Sequence, residues 1–173
     1  MKSLFVMYIG GKHENAMIEV HDMRFIVAKT LEDTYHELRK NWWGKPKNLH
    51  LDAWGVLRWV DGYEVLIKDV CPANQENRLF FVNLGGYDKK QFTELHKNIF
   101  VVAKNESKAK IKALKQILSW ESYHKDCQFE IDQLLSLNEI AENQNHFIHL
   151  EPNPKEISFD FTVGYVSIGK STD

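Results

Sequence analysis

Cysteine and proline are scarce in this chain, with two of the first and four of the second among 173 residues. Cys71 and Cys127 are too few and too far apart for a disulfide framework or a thiolate zinc site. They read as incidental thiols in a reducing, cytoplasmic setting. Charge of one sign is missing too. Lys and Arg number 22 and Asp and Glu 24, for a net charge of −2. The balance holds locally: residues 1–78 carry 11 basic and 11 acidic side chains, residues 79–150 carry 9 and 9, and the tail carries 2 and 4. No part has the basic excess of a nucleic-acid binder, so no nucleic-acid partner is expected. Long hydrophobic runs are absent as well. Ile18 to Val27 is broken by His, Asp and Arg, so no membrane span is expected. The start MKSLFVMYIGG turns polar too soon for a secretion signal. No serine or cysteine sits in a recognisable nucleophile setting.

What the chain does contain is its own first part again. Leu4 to Lys29 aligns without a gap against Leu79 to Lys104 at a constant offset of 75, with ten of 26 positions identical. Average residue usage would give about one or two by chance. The shared positions include Gly10/Gly85, Gly11/Gly86, Glu19/Glu94, His21/His96, Phe25/Phe100 and Val27/Val102. A repeat of this length points to a duplicated unit.

Each copy begins with an apolar run, Leu4 to Ile9 or Leu79 to Leu84, that reads as a buried strand stopped by a Gly-Gly pair. A second strand follows, over Met17–Ala28 and Thr93–Ala103. Its alternation puts Glu19, His21, Met23, Phe25 and Val27 on one face. A helix comes next. Thr30 with Asp33 forms a capping box, and Leu31, Tyr35, Leu38 and Trp42 make one apolar stripe. In the second copy Asn105 caps a helix with the stripe Ile111, Leu114 and Leu118. Leu49–Leu57 and Tyr63–Val70 read as a closing hairpin, with Asp61-Gly62 as a strong two-residue turn. Phe129–Ile140 and Phe147–Leu150 would close the second copy. The fold class is therefore α+β: two tandem ββαββ repeats related by a pseudo-two-fold axis, plus a C-terminal extra strand. The first repeat spans 1–70, a linker 71–78, the second repeat 79–151, and the strand and tail 152–173. In that strand Phe159, Phe161, Val163 and Tyr165 share one apolar face, and it should cover or extend a sheet edge.

Residues 3 to about 151 resemble the domain of unknown function 1543 family, a mostly bacterial group in which the unit occurs once or twice per chain. The pieces that carry the resemblance are Tyr8-Ile9-Gly10-Gly11, Glu19-Val20-His21-Asp22 and Val60-Asp61-Gly62-Tyr63. The resemblance implies no activity and no catalytic residues.

Four groups could carry chemistry. The two Glu-x-His pairs, Glu19/His21 and Glu94/His96, place a carboxylate beside an imidazole on one strand face. That suits acid–base work, a ligand contact or, with both pairs joined, a metal. The same face carries Phe25 and Val27, which favours packing instead, and no metal or cofactor is assigned. Gly10, Gly11, Gly85 and Gly86 are backbone corners. Gly10-Gly11-Lys12 is not a phosphate loop, because a strand rather than a helix follows. Trp43, beside Trp42 and two lysines, reads as an exposed patch for a partner. His50 and Asp52 share a face, and the second copy has Glu130 and Asp132 there, so any such site is asymmetric.

The expected function is a non-catalytic binding or protein-interaction module for a small molecule or protein, with homo-oligomerisation left open. The alternative is a small-molecule enzyme or sensor whose cleft between the repeats is lined by Glu19, His21, Glu94 and His96.

Overall fold

An apolar run such as Leu4–Ile9 needs cover on both faces. The computed structural model describes residues 1–87, 90–117, 129–155 and 157–169, and there the run has that cover. The first strand, β1 (Ser3–Gly11), is central in a four-stranded antiparallel sheet. It pairs with β2 (Val20–Ala28) on one side and β3 (His50–Val56) on the other. One face sends Leu4, Val6 and Phe25 into a core cluster. The opposite face sends Phe5, Met7, Ile9, Ile26 and Ala28 into a second cluster, under Leu38 and Trp42.

Between β2 and β3 runs a short 3-10 turn (Glu32–Thr34) and α1 (Tyr35–Asn41). The capping box is present: the Thr30 N–H donates to Asp33 Oδ2 at 3.1 Å, and the Asp33 N–H to Thr30 Oγ1 at 3.3 Å. The expected stripe also faces the core, with Leu38 and Trp42 buried and Leu31 and Tyr35 packed against them. Thr30→Ala removes one side of the box and should cost about 1 kcal/mol, read as a lower urea midpoint at unchanged slope.

After β3 come β4 (Trp59–Val60) and β5 (Tyr63–Lys68), joined by the Asp61-Gly62 turn. Both turn residues have positive φ, 55° and 80°, as a type I′ turn requires. The hairpin is therefore β4–β5, not the expected pairing of Leu49–Leu57 with Tyr63–Val70. β3 spends both edges elsewhere, on β1 and on β10 (Phe161–Ser167).

Beyond the linker, β6 (Arg78–Gly86) pairs with β7 (Leu95–Ala103) and β8 (Phe129–Ser136). The β1–β2 register, Ser3↔Ala28 to Gly11↔Val20, recurs 75 residues on as Arg78↔Ala103 to Gly86↔Leu95. Over this sheet lies α2 (Glu106–Ile117), where the Lys108 N–H donates to Asn105 Oδ1 as expected of the cap. Its buried side differs from the expected one. Ala109 and Ala113 face the sheet, while Ile111 is 50% exposed and Leu114 39%. Two alanines four apart let the helix sit close on the strands, and larger side chains on that line would hold it off. Leu118 and Cys127 lie outside the described residues.

The expected strand over Phe129–Ile140 stops at Ser136. Its Oγ accepts from the Glu139 N–H, starting α3 (Leu137–Glu142), which buries Leu137 and Ala141. Ile140 therefore lies on a helix. The last expected hairpin does not form either, because β9 (Phe147–Pro152) crosses to pair with β5, from Tyr63↔Pro152 to Lys68↔Phe147. The sheets are thus β10-β3-β1-β2, β4-β5-β9 and β7-β6-β8. The fold is α+β and rich in sheet. No helix among the described residues is long and apolar enough to cross a membrane.

The C-terminal strand covers the outer edge of β3, as its composition suggests. Its apolar face is not buried, however. Phe161, Val163 and Tyr165 stay exposed, and a register shift between Val163 and Val166 turns Val166 and then Ile168 inward.

Candidate functional site

Gly10 pairs with His21 on β2 and with His50 on β3, so two imidazoles flank one residue that has no side chain. The β1–β3 register shifts between Tyr8 and Ile9, which pair with Ala53 and Leu51. Asp52 is the extra residue of that bulge, and the bulge aims it over Gly10. A Cβ at Gly10 would lie 2.7 Å from Asp52 Oδ2, 2.7 Å from His50 Nε2 and 2.9 Å from His21 Cδ2. The glycine is therefore the floor of a polar cluster. Its role here is close approach, since Gly62 is the glycine with positive φ.

Glu19, just before β2, completes the cluster as a ring. His21 Nε2 lies 3.8 Å from Glu19 Oε2 and 3.2 Å from Asp52 Oδ2. His50 Nε2 lies 3.3 Å from Glu19 Oε1 and 3.4 Å from Asp52 Oδ1. Each carboxylate thus bridges both imidazoles. Aromatic rings hold the histidines: Tyr8 stacks on His21 at 5.0 Å and 5°, and Tyr165 lies over His50 at 4.4 Å. Burial first, and the Asp52 carboxylate second, raise the Tyr8 hydroxyl above its ordinary pKa, so it remains a neutral donor.

The second Glu-x-His pair forms its own cluster rather than joining the first. His96 Nε2 lies 3.6 Å from Glu94 Oε2 and 3.6 Å from Asp132 Oδ2. Asp132 is again the extra residue of a bulge, between Asn83 and Leu84, and it lies over Gly85. Glu130 pairs with Gly85, the place His50 holds against Gly10, so this cluster has one imidazole. The Glu94 carboxylate, hydrogen-bonded to Tyr87, pushes that hydroxyl's pKa up.

His21 and His96 nevertheless face one cleft of about 330 Å³, lined also by Tyr8, Asp22, Met23, Asn83 and Asn98. Tyr8, Met23 and Asn98 continue into an adjoining apolar pocket of about 260 Å³ with Trp54, Phe100, Phe159 and Phe161. A larger cavity of about 570 Å³ lies under Ser158–Thr162, beside Arg58 and Trp59 and away from both histidine clusters.

Of the residues singled out by sequence, Glu19, His21, His50 and Asp52 meet, and Glu94 and His96 meet. Trp43 is half-exposed and packs on His13 and Trp42 instead of either cluster. Gly11 and Gly86 end their strands, and Gly11 gives room to the Trp42 ring. Sequence reading passed over Tyr8 and Tyr165. Tyr8 was detectable in principle, because it sits two residues before Gly10 on the same strand face.

Residues 16–67 match the model of the Domain of Unknown Function (DUF1543). The crystal structure of protein Il1583 from Idiomarina loihiensis is similar over nearly the whole length. It has a TM-score of 0.75 at 31% identity, covering 98% of this chain and 100% of that one. The chain belongs to the DUF1543 family. The DUF1543 match is narrower than the stretch of motifs from residue 3 to about 151. It contains Glu19, His21, His50 and Asp52 but none of the second cluster. No curated protein matches the chain.

Proposed function

We propose that this DUF1543 protein is a non-catalytic module that binds a small molecule in the groove between its β10-β3-β1-β2 and β7-β6-β8 sheets. The ligand has an apolar body, against Trp54, Phe100, Phe159 and Phe161, and a polar head among Tyr8, His21, His96, Asn83 and Asn98. The observation that carries this reading is the continuity of the two pockets through Tyr8, Met23 and Asn98. Their volumes suit a small ligand, and apolar walls with a few convergent polar groups are the usual make-up of such sites.

The groove lies between two copies of one unit on this reading. In chain order the first copy runs β1, β2, α1, β3, β4, β5 and the second β6, β7, α2, β8, α3, β9. The recurring registers and the recurring bulge support a tandem duplication with a pseudo-two-fold relation. Divergence at His50 and Glu130 would then give the groove unlike ends.

The test is an NMR titration with a set of small amphipathic acids and amides. Hits should move the Trp54 indole N–H and the His21 and His96 ring signals together. Asn98→Leu should weaken them by about tenfold, the order expected for one lost hydrogen bond with its partner left unpaired. Hits that shift only Arg58 and Trp59, or none at all, would reject the groove.

A further inference from the structure

We infer that Glu19, His21, His50 and Asp52 bind one divalent transition-metal ion, with zinc the best match. The inference stands on the ring itself and is independent of the groove reading. His50 is the key. Its side chain is 3% exposed, and its Nδ1 lies 2.8 Å from the Asn48 carbonyl oxygen. A carbonyl can only accept, so Nδ1 carries a proton and Nε2 is the ring nitrogen that faces the cluster, where in the neutral ring it offers a lone pair. There Nε2 lies 3.3 Å from Glu19 Oε1 and 3.4 Å from Asp52 Oδ1. Its neighbours are carboxylate oxygens of Glu19 and Asp52, which are lone-pair bearers too.

A second observation agrees. Asp52 Oδ2 is buried without a hydrogen-bond partner. A buried acceptor left without a donor is costly. A dication among the ring's nitrogens and oxygens turns every one into a ligand. The carbonyl behind His50 is the kind of outer partner that orients metal-bound histidines.

The distances fit a small ion. Metal–ligand bonds of 2.0–2.1 Å in a tetrahedron place neighbouring ligand atoms about 3.3–3.4 Å apart. Single donor atoms of Glu19, His21 and His50 all lie within 4.8 Å of one another, and the imidazole nitrogens stand 3.2 to 3.8 Å from the carboxylates, each meeting a different oxygen of Glu19 and of Asp52. Two imidazoles select zinc, cobalt or nickel over calcium and magnesium, which prefer oxygen throughout. The cluster of Glu94, His96 and Asp132 offers one imidazole and is exposed throughout, with Glu130 where the first has His50. It should bind such ions far more weakly.

The test is a titration of the chelator-stripped full chain with zinc chloride by calorimetry, and with cobalt chloride by visible absorption. The expected result is one ion per chain, intense tetrahedral cobalt bands, and a melting temperature that rises with zinc concentration. His50→Ala and the half-exposed His21→Ala should each weaken zinc by about 100-fold, the upper end of what even an outer-shell partner's loss costs. His96→Ala should leave affinity and stoichiometry unchanged. Should His50→Ala not fold, His21→Ala and Glu19→Gln decide alone. The inference is overturned if the stripped protein binds no zinc, if His21→Ala and Glu19→Gln bind as the parent does, or if His96→Ala removes the ion. A parent protein that holds the ring by protonated histidines alone gives the first of these results.

Discussion

Residues 1–75 expressed without the rest of the chain should remain unfolded, and so should residues 76–173. The cut crosses the main core. That cluster takes Leu4, Val6, Phe25, Leu57, Val60 and Val65 from one side of the linker, and Leu79, Phe81, Val102, Leu137, Ala141, Ile148 and Leu150 from the other. Burying a side chain of this kind is worth about 1.5–3 kcal/mol. Re-exposing even half of that value across six of them rivals the roughly 5–15 kcal/mol by which a domain is stable. The sheets are cut as well. β5 loses β9, and β3 loses β10. Far-UV circular dichroism and amide proton dispersion should show each piece largely disordered, and mixing the pieces should restore structure. A piece that unfolds cooperatively by itself would contradict this account.

Asp61→Ala should lower stability by about 2–4 kcal/mol, because one side chain does three things there. It sits at φ 55°, where alanine is strained and aspartate is tolerated. Its Oδ2 accepts the Val102 N–H at 2.7 Å, and Val102 is buried in the second half. It also meets Lys112 Nζ at 2.9 Å, and that lysine donates to the Val102 carbonyl at 3.1 Å. The half-exposed Lys112 pair adds little. Two controls separate the rest. Asp61→Gly removes the strain but leaves the Val102 N–H unpaired, so it should cost about 1–3 kcal/mol. Asp61→Asn keeps an acceptor and tolerates the conformation, so it should lie closest to the parent. Equal urea midpoints for all three variants and the parent would show that the bridge between the halves carries no stability.

This residue also shows where sequence reading succeeds. The Asp-Gly pair declares a tight turn by its own backbone preferences, and it makes one. The capping box of Thr30 and Asp33 and the stripe through Leu38 and Trp42 are legible for the same reason: the information is local. What the turn's aspartate reaches across the molecule is not local, and nothing in residues 59–64 points to Val102.

The same division runs through the candidate site. The residue types and the two-residue spacing of Glu19 with His21, and of His50 with Asp52, mark them as neighbours. That both sets meet over Gly10 depends on the β1–β3 register and on a bulge at Asp52, and a bulge is one extra residue with no compositional mark. The destination of β9 was hidden likewise. Phe147–Leu150 reads as a strand, but a strand's pattern names its faces and not its partner. On α2 the large residues Ile111 and Leu114 misled because helix burial followed the close-packing alanines.

The crossing of β9 and β10 also orders events during synthesis. β3 and β5 are made early, yet the strands that cover their edges span residues 147–152 and 161–167. Until the ribosome has passed residue 167, the first half emerges with two open edges and an incomplete core. Pairings this distant in sequence close slowly, and open edges recruit other chains. The nascent chain is therefore most vulnerable to aggregation until β10 has been made.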